Sequence, residues 1–335
     1  MIIESSAPTR VDVAGGTVDI WPLYLFHKSS LTVNFAIDLP ARCRVVSRTD
    51  GKFRLHSIDT GESAEFDSLD ALWSSPKLEL LAKLICFFAP AGGLDMVTNC
   101  SVPAGSGLAG SSALNIAICG ALNALTDAGH TLESLIQIAR DVEAQVINVP
   151  TGVQDYYPAA YGGLQAIHLD VGRVWREPLP ADPDSLSERL VLIYSGLQRN
   201  SGINNWDMMK RHIDGDAGIH RAFDGIVEAA TRVRNAICAG RFDLIEDALE
   251  LEWSNRKTLS DGIRTPEMED IVERARLLGA GAAKVCGAGG GGCFLMTVPE
   301  GRRSGIQSAL KESGVQILDY RIAVRGLQVK VSEQK

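Results

Sequence analysis

The chain has 335 residues, enough for two domains of roughly 150 residues each, and 45% of them are hydrophobic. This apolar content excludes a globally disordered chain. The 33 basic and 41 acidic residues leave a formal net charge of −8, which excludes the basic field that nucleic acid or an anionic membrane surface would require. We therefore expect a small-molecule partner.

The cysteine pattern and the apolar stretches both indicate a cytoplasmic protein. The seven cysteines are scattered among apolar neighbours without a C-x-x-C pair, which is typical of buried, reduced thiols. Residues 1–4 contain neither the basic nor the apolar segment of a signal peptide. The most apolar stretch, residues 78–97, includes Glu79, Lys83 and Asp95, which argues against a transmembrane span. The sequence leaves the oligomeric state open.

The first half of the chain predicts a β-rich opening followed by helices. Alternating apolar residues predict strands at 2–3, 10–14, 30–37, 41–46, 53–58 and 95–102. Apolar residues at helical spacing predict helices at 111–126 and 131–147. Two further strands are predicted at 164–169 and 190–194.

The proline-rich segment 178–183 predicts a domain boundary, with one domain over residues 1–183 and a second over residues 184–335. Helices are then predicted at 217–239, 243–259, 266–278 and near 305–312. Strands are predicted at 293–298, directly after a glycine-rich loop, and at 321–331. We expect an α+β chain in two parts.

A glycine- and serine-rich loop, residues 103–112 (PAGSGLAGSS), lies between a predicted strand and a predicted helix. Glycines let a backbone approach a ligand closely, and a helix N-terminus adds positive potential. The loop therefore predicts a phosphate site. A tight turn capped by Ser111 or Ser112 is the alternative without a ligand.

Three other interpretations of this loop compete. Its glycines satisfy G-x-G-x-x-G, but a dinucleotide-binding unit returns to a second strand, and here a second helix follows. A P-loop requires a lysine after the last glycine, which is missing. A protein kinase requires H-R-D and D-F-G, and the chain contains neither.

Three segments together resemble the GHMP small-molecule kinases. They are residues 8–19 (PTRVDVAGGTVD), the loop at 103–112 and residues 284–294 (KVCGAGGGGCF), in the order of the family motifs. The resemblance implies a two-domain GHMP kinase fold, in which the N-terminal domain is like domain 2 of ribosomal protein S5 and the C-terminal domain is ferredoxin-like. It also implies an active site in the cleft between them.

Within this superfamily the chain is most similar to the sugar anomeric kinases, namely the D-glycero-D-manno-heptose 7-phosphate kinases and the fucokinases. Residues 108–112 (LAGSS) and 195–201 (SGLQRNS) carry this similarity. The resemblance implies ATP-dependent phosphorylation of a sugar or sugar-phosphate hydroxyl, the anomeric one, with Mg²⁺. The chain departs from the motifs of the heptose kinases at two places where the acceptor sugar would bind. It has QDYY at 154–157 where those kinases have QDQY, and it has one additional residue before Asp19. They leave the identity of the sugar open.

The loop at 103–112 is called the phosphate loop below. The resemblance implies that it binds the phosphates of ATP. The residues that it implies for ATP binding are Pro103, Gly105, Ser106, Gly107, Leu108, Ala109, Gly110, Ser111 and Ser112.

Glu143 lies on the flank of the apolar stripe of the predicted helix 131–147, so its carboxylate requires a partner. Magnesium, which takes one or two protein oxygens and keeps phosphate and water in its shell, is a suitable partner. The resemblance implies that Glu143 binds Mg²⁺ together with Ser111 or Ser112, and we favour Ser112. A salt bridge from Glu143 to Arg140 on a solvated face is the alternative.

The resemblance also implies a catalytic pair. Asp155 matches the position of the catalytic base, which would accept the proton of the attacking hydroxyl. Arg10 matches a cation that keeps this carboxylate ionised and stabilises the transferring phosphoryl group. A turn aspartate and a strand-end surface charge are the respective alternatives.

Asp19 matches the position that binds acceptor hydroxyls, and its two oxygens suit a vicinal diol. The glycine loop at 287–292 would press its backbone against the phosphate loop and the substrate. The predicted substrate-binding residues are Asp19, Gly16, Thr17, Gln154, Arg199, Gly289 and Gly290. We assign no role to Trp21, Tyr24, His27 and Lys28.

Other functions remain open at this point. Galactokinase-, fucokinase-, mevalonate-kinase- and homoserine-kinase-type acceptors are compatible with the motifs. A non-catalytic sugar and ATP sensor of the same fold is a further alternative, although a sensor has no need of a base at Asp155. An NAD-dependent dehydrogenase is the alternative from another enzyme class.

Overall fold

The computed structural model describes residues 1–197, 201–287 and 289–333, with the backbone alone at 201–204. The strands are β1 (Ile2–Ala14), β2 (Leu31–Ser47), β3 (Phe53–Ser57), β4 (Ser63–Phe66), β5 (Leu94–Cys100), β6 (Leu164–Asp170), β7 (Arg173–Pro178), β8 (Leu190–Tyr194), β9 (Ala283–Val285), β10 (Cys293–Thr297), β11 (Gln316–Ile317) and β12 (Gln328–Ser332).

The helices surround the strands. They are α1 (Leu69–Trp73), α2 (Glu79–Phe88), α3 (Gly110–Thr126), α4 (Leu132–Ile147), α5 (Tyr156–Tyr161), α6 (Pro183–Ser187), α7 (Ser201–Ile213), α8 (Ala217–Cys238), α9 (Ile245–Arg256), α10 (Pro266–Leu277) and α11 (Arg303–Glu312). Short 3-10 turns lie at Leu23–Phe26, Phe242–Leu244 and Asp261–Ile263. In the described part of the chain, none of the helices combines the length and the apolar content that crossing a bilayer would demand.

A large sheet is built around the long pair β1 and β2. Its strand order is β12-β1-β2-β5-β3-β4, and β6 and β7 extend it from the first half of β2. The register of β1 against β2 shifts between Ala7 and Thr9, where Pro8 cannot donate to the ladder. The two halves of β2 therefore pair with different strands, β6 before the irregularity and β5 after it.

A second, antiparallel sheet has the order β11-β8-β10-β9. The proline-rich segment 178–183 leads from β7 of the large sheet to α6 and β8. The domain boundary at residue 183 stays a prediction. The strand β12 lies beyond that boundary in sequence but pairs with β1, where it covers an otherwise open sheet edge.

Two apolar cores hold the layers together. The first includes the inward side chains of α2, α3, α4 and α5 and of the large sheet. The second joins Val11 and Val13 of β1 to Val233 of α8, Leu249 of α9 and Leu295 of β10. Because helices pack on both sides of the second half of β1, its residues Ala7 to Ala14 are all buried and do not alternate between a core and a solvent face.

The predicted helices over 111–126, 131–147, 217–239 and 266–278 and the strands over 164–169, 190–194 and 293–298 are confirmed to within a residue or two. The strand predicted at 321–331 is wrong at its start, because pairing begins only at Gln328. Before that point the amide of Ala323 donates to the Ala36 carbonyl of β2, and the amide of Leu327 donates to the Ala160 carbonyl of α5. The sequence analysis did not predict several short elements, nor α2 and α7.

A buried ion pair joins the first motif to the third. Lys284 of β9 places its Nζ 2.6 Å from an Asp12 carboxylate oxygen and 2.8 Å from the Asp12 carbonyl, and both side chains are fully buried. Burial alone would raise the pKa of Asp12, but the charges of Lys284, Arg256 and Arg10 outweigh it and hold this pKa below its ordinary value. The pair therefore ties the second sheet to β1.

Removal of one partner should strongly destabilise the protein. We expect Lys284→Met to lower the free energy of unfolding by about 3–5 kcal/mol, because it leaves the Asp12 carboxylate buried without its nearest cation. Lys311→Met is the matched control, since Lys311 pairs with Asp319 at a largely exposed position, and we expect it to cost less than about 1 kcal/mol. Urea denaturation measures both. Equal midpoint shifts for the two variants would contradict this role of the buried pair.

Candidate active site

A cavity of about 580 Å³ lies where the three glycine motifs meet. The phosphate loop forms one wall, and residues 147–155 form the opposite one. The first motif contributes Arg10, Thr17 and Asp19, and the third motif contributes Gly287. The cavity therefore brings together segments that are separated by more than 250 residues of sequence.

The phosphate loop places a helix N-terminus at the cavity. Gly105, Gly107 and Ala109 have φ angles of 69°, 80° and 57°, which turn the backbone sharply before α3 begins at Gly110. Among the described residues no side chain caps α3, so the first amide groups of this helix are available to a ligand. The alternative of a turn capped by Ser111 or Ser112 is thereby excluded.

Leu108 differs from the other predicted ATP residues because its side chain is fully buried in the second core. Its carbonyl accepts a hydrogen bond from the Arg10 amide at 3.1 Å. Leu108 thus anchors the loop to β1, and the cavity wall is formed by its neighbours, including Pro103, Gly105, Ser106 and Ser112. Because α4 follows α3 directly, the dinucleotide-binding interpretation of this loop is wrong.

Glu143 of α4 faces inward, as its position in the sequence predicted, and is only 7% exposed. Ser111 donates to one carboxylate oxygen at 2.6 Å, and Ser112 donates to the other at 3.0 Å. The buried Tyr156 hydroxyl donates to that second oxygen at 2.7 Å. Burial raises the pKa of Glu143, and these hydrogen bonds oppose the shift only in part. A carboxylate and two hydroxyls at one point are a donor set that fits Mg²⁺.

Arg10 and Asp155 form the second polar group of the cavity. The Nε and one terminal nitrogen of Arg10 both donate to Asp155 Oδ1, at 2.8 and 2.5 Å. The other terminal nitrogen donates to the Gly107 carbonyl at 2.7 Å, which links the pair to the phosphate loop. Burial disfavours the charge on Arg10, but Asp155 and Asp12 outweigh it and keep the pKa of Arg10 above its ordinary value. Asp155 therefore faces a permanent cation.

Asp19 lies beside this pair and is 2% exposed. The Gln154 amide donates to its Oδ2 at 2.9 Å. Burial raises the pKa of Asp19 to about 7, and the negative charge of Asp155 adds to the shift. An added Cβ at Gly152 would collide with the Asp19 carboxylate, which explains the glycine at that position of the opposite wall.

The backbone of the first motif is held from the second half of the chain. Thr17 has a φ of 73°, which is a strained conformation for a β-branched residue. Arg256 donates to the Thr17 hydroxyl at 3.1 Å and to the Gly16 carbonyl at 2.6 Å. The charge of Arg256 is balanced by Glu252, which is equally buried. Gly16 itself approaches Asp12 and the Gln154 side chain, and an added Cβ would overlap both.

The third motif touches the phosphate loop through Gly292. The Cys293 amide donates to the Ser106 carbonyl at 2.6 Å, and an added Cβ at Gly292 would lie 2.5 Å from that carbonyl oxygen. Gly289 and Gly290 instead pack against Ile263, and Gly287 is the residue of this motif on the cavity wall. The predicted contact between the two loops is thus present, while a substrate role for Gly289 and Gly290 stays a prediction.

The remaining predicted residues are distributed as follows. Thr17 and Gln154 lie on the cavity wall, and Arg199 lies outside the described residues. Among the four residues without an assigned role, Trp21 is 66% exposed and His27 is buried away from the cavity.

Several residues of the site were missed. Tyr156 lies behind the cavity wall as the buried donor to Glu143, and the departure from the QDQY pattern was the available signal for it. Asp59 and Asn205 line the cavity, from the loop after β3 and from α7, and no local pattern marks either of them.

The close approach of Gly292 to the phosphate loop can be tested with a matched glycine. We expect Gly292→Ala to lower the melting temperature and to weaken ATP binding, because its Cβ displaces the Ser106 carbonyl. Gly314→Ala is the control, since Gly314 has a similar φ of 82° but nothing within 4 Å. We expect Gly314→Ala to show only the backbone cost of about 1–2 kcal/mol and to leave ATP affinity unchanged. Calorimetry measures both quantities, and equal ATP affinities in the two variants would contradict the contact.

Comparison with known families agrees with this geometry. The profile of the GHMP kinases N terminal domain matches residues 78–163, and that of the GHMP kinases C terminal matches residues 233–316. Together these matches cover just over half of the chain. The two-domain GHMP fold expected from the motifs is confirmed.

Two relatives match nearly the whole of this chain at low sequence identity. The chain is 26% identical to a D-glycero-alpha-D-manno-heptose 7-phosphate kinase of Campylobacter jejuni, over 97% of this chain and 98% of the relative. It is 25% identical to an L-fucokinase/L-fucose-1-P guanylyltransferase of Bacteroides fragilis, over 99% of this chain but 39% of that longer protein.

A solved structure shows the same fold. A D-glycero-D-manno-heptose 1-phosphate kinase of Bacteroides thetaiotaomicron superposes with a TM-score of 0.81 at 21% identity, over 99% of this chain and 100% of that chain. With three motifs in order around one cavity and both family profiles matched, the chain belongs to the GHMP kinase family.

Proposed function

We propose that this protein transfers the γ-phosphoryl group of ATP to a hydroxyl of a sugar or sugar phosphate, and that this hydroxyl is the anomeric one. The observation that carries the proposal is the arrangement of one cavity. An uncapped helix N-terminus, the Arg10–Asp155 pair and the Glu143 cluster all face it, together with Asp19. Sugar kinases among the relatives support a sugar as acceptor.

The ATP phosphates would lie against the loop 103–112. Their negative charge suits the free amides and the dipole of α3, and Arg10 supplies a fixed cation beside Gly107. Ser112 and Glu143 would hold Mg²⁺, which when bound neutralises phosphate charge and orients the γ-phosphoryl group. The contact of Gly292 with Ser106 keeps the loop in place while the phosphates are bound.

Asp155 would act as the base. Its carboxylate is partly exposed to the cavity. Arg10 donates only to Oδ1 and makes no hydrogen bond to Oδ2. A sugar hydroxyl that donates to Asp155 can pass its proton there while its oxygen attacks the γ-phosphorus. The bond from this phosphorus to the β,γ-bridging oxygen then breaks, and ADP leaves. The guanidinium of Arg10 orients this carboxylate before the transfer and stabilises negative charge on the transferring group during it.

The acceptor would be held by Asp19, Gln154 and Thr17. Asp19 accepts one amide hydrogen bond from Gln154, which leaves carboxylate lone pairs for sugar hydroxyls. Because Asp19 accepts from the amide of Gln154, the neighbour of Asp155, a hydroxyl next to the one bound by Asp19 would lie near the base. Among sugar hydroxyls the anomeric one is the most acidic, so a carboxylate base suits it best.

The function is tested by ADP release from ATP and Mg²⁺ over a panel of acceptors. The panel contains free and phosphorylated heptoses, L-fucose, galactose, mevalonate and homoserine. We expect turnover with one class of sugar. If every acceptor is silent while ATP still binds, the protein is a sensor of the same fold, and the proposal of a kinase is wrong.

The role of Asp155 is tested by an isosteric change. We expect Asp155→Asn to lower kcat by about 10²–10⁴-fold with little change in ATP affinity, because the amide can no longer accept the hydroxyl proton. Asp59→Asn is the control, since Asp59 lines the same cavity away from Arg10 and loses the same charge. Steady-state kinetics with the sugar found in the panel measure both. Undiminished turnover in Asp155→Asn would remove Asp155 from the role of base.

The raised pKa of Asp19 predicts a pH-dependent acceptor affinity. Below its pKa of about 7 the group carries a proton, and above it the carboxylate accepts two hydroxyls. We therefore expect the logarithm of KM for the sugar to fall by one per pH unit below pH 7, as one proton is lost. Above pH 7 the KM should stay constant. In Asp19→Asn the KM should be high and flat. The measurement uses an unphosphorylated acceptor, because a sugar phosphate itself titrates near pH 7. If the pH dependence of KM is the same in Asp19→Asn, another group is responsible for it.

A further inference from the structure

A cluster of three histidines lies outside the kinase cavity. His27 follows the first motif, His212 lies near the end of α7, and His220 lies in the first turns of α8. One ring nitrogen from each comes within 4.8 Å of the other two. His27 and His212 are almost completely buried, and none of the three lines the cavity.

The hydrogen bonds around the cluster orient its nitrogen lone pairs inward. Asp224 accepts from His27 Nδ1 at 2.7 Å, so the proton lies on Nδ1 and Nε2 presents its lone pair. The His212 carbonyl accepts from His220 Nε2 at 2.9 Å, which leaves Nδ1 of His220 as a lone-pair donor. A carboxylate or a carbonyl behind a histidine is the support that metal-binding histidines characteristically have.

His212 completes the arrangement. Its Nε2 donates to His27 Nε2 at 2.8 Å, and a metal ion would take the place of this shared proton. The Nδ1 of His212 is buried without a hydrogen-bond partner in the described part of the chain.

We propose that His27, His212 and His220 bind one Zn²⁺ ion, with Asp224 as the carboxylate that orients His27. Zinc favours nitrogen ligands at 2.0–2.1 Å in tetrahedral geometry, and three histidines leave its fourth position to water. In that geometry two ligand nitrogens lie roughly 3.3 Å apart, so the His27–His212 pair has to open by about half an ångström. The rings of His212 and His220 are stacked with their centroids 4.0 Å apart, so one of them has to turn for both lone pairs to reach the ion. Three imidazoles do not suit Mg²⁺, which prefers oxygen ligands, so this site is separate from the one at Glu143.

The ion would join α8 to two segments that line the kinase cavity. His27 lies eight residues after Asp19, and α7 carries Asn205 on the cavity wall as well as His212. Zinc would thus hold the end of the first motif against α7 and α8. The proposal does not depend on the kinase activity, because metal binding is measured directly.

The test is calorimetric titration of Zn²⁺ into the full chain after removal of metals with a chelator, in the presence of excess Mg²⁺. We expect one Zn²⁺ per chain. His220→Ala should abolish this binding, and Asp224→Asn should weaken it by about 10–100-fold. His168→Ala is the matched control, since His168 pairs with Glu177 elsewhere on the fold and should leave binding unchanged.

Cobalt distinguishes this site from the cysteines of the chain. Co²⁺ bound to three histidines gives visible d–d bands without a sulfur charge-transfer band, and we expect that spectrum. The Asp224 side chain is 68% exposed, so Asp224→Asn keeps the test decisive if His220→Ala fails to fold. The proposal is overturned if the wild-type chain binds no zinc, if a thiolate band accompanies the cobalt, or if Asp224→Asn binds zinc as tightly as the wild type.

Discussion

Two buried charges on one strand organise the molecule. Arg10 and Asp12 are two residues apart on β1, so their side chains leave the same face of the strand. Asp12 meets Lys284 of the second sheet, and Arg10 meets Asp155 at the start of α5. One strand thus positions the third motif and the Asp155 carboxylate together. Neither charge could be buried alone, since an unpaired ion in the interior costs several kcal/mol.

The cavity concentrates negative charge and assigns each carboxylate a different partner. Glu143 is bound by hydroxyls, Asp155 by a guanidinium and Asp19 by one backbone amide. Burial raises the pKa of Glu143 and of Asp19, because their hydrogen-bond donors compensate the loss of solvent only in part. Asp19, which accepts only one backbone amide, has a pKa of about 7.

Two glycines of the site lie where another group approaches their backbone too closely for a Cβ. Gly292 allows the third motif to approach the Ser106 carbonyl, and Gly152 leaves room for the Asp19 carboxylate. The strained Thr17 shows the opposite solution, in which a side chain stays in an unfavourable conformation because Arg256 binds it from α9. Arg256 holds the first motif against the second half of the chain, and Gly292 brings the third motif against the loop at 103–112. The cavity therefore depends on residues distant in sequence.

The sequence by itself determined the local elements and the chemistry of each motif. The inward position of Glu143 followed from helical periodicity, and the loop before α3 from its glycines, because both signals are local. Only the tertiary structure decided which groups meet. The Lys284–Asp12 pair, the Arg256 contacts and the histidine cluster each join residues more than 180 positions apart. On β1 the alternation that normally separates core from surface is absent, because helices cover the strand on both faces, so no periodicity could distinguish an ion-paired Asp12 from an exposed one.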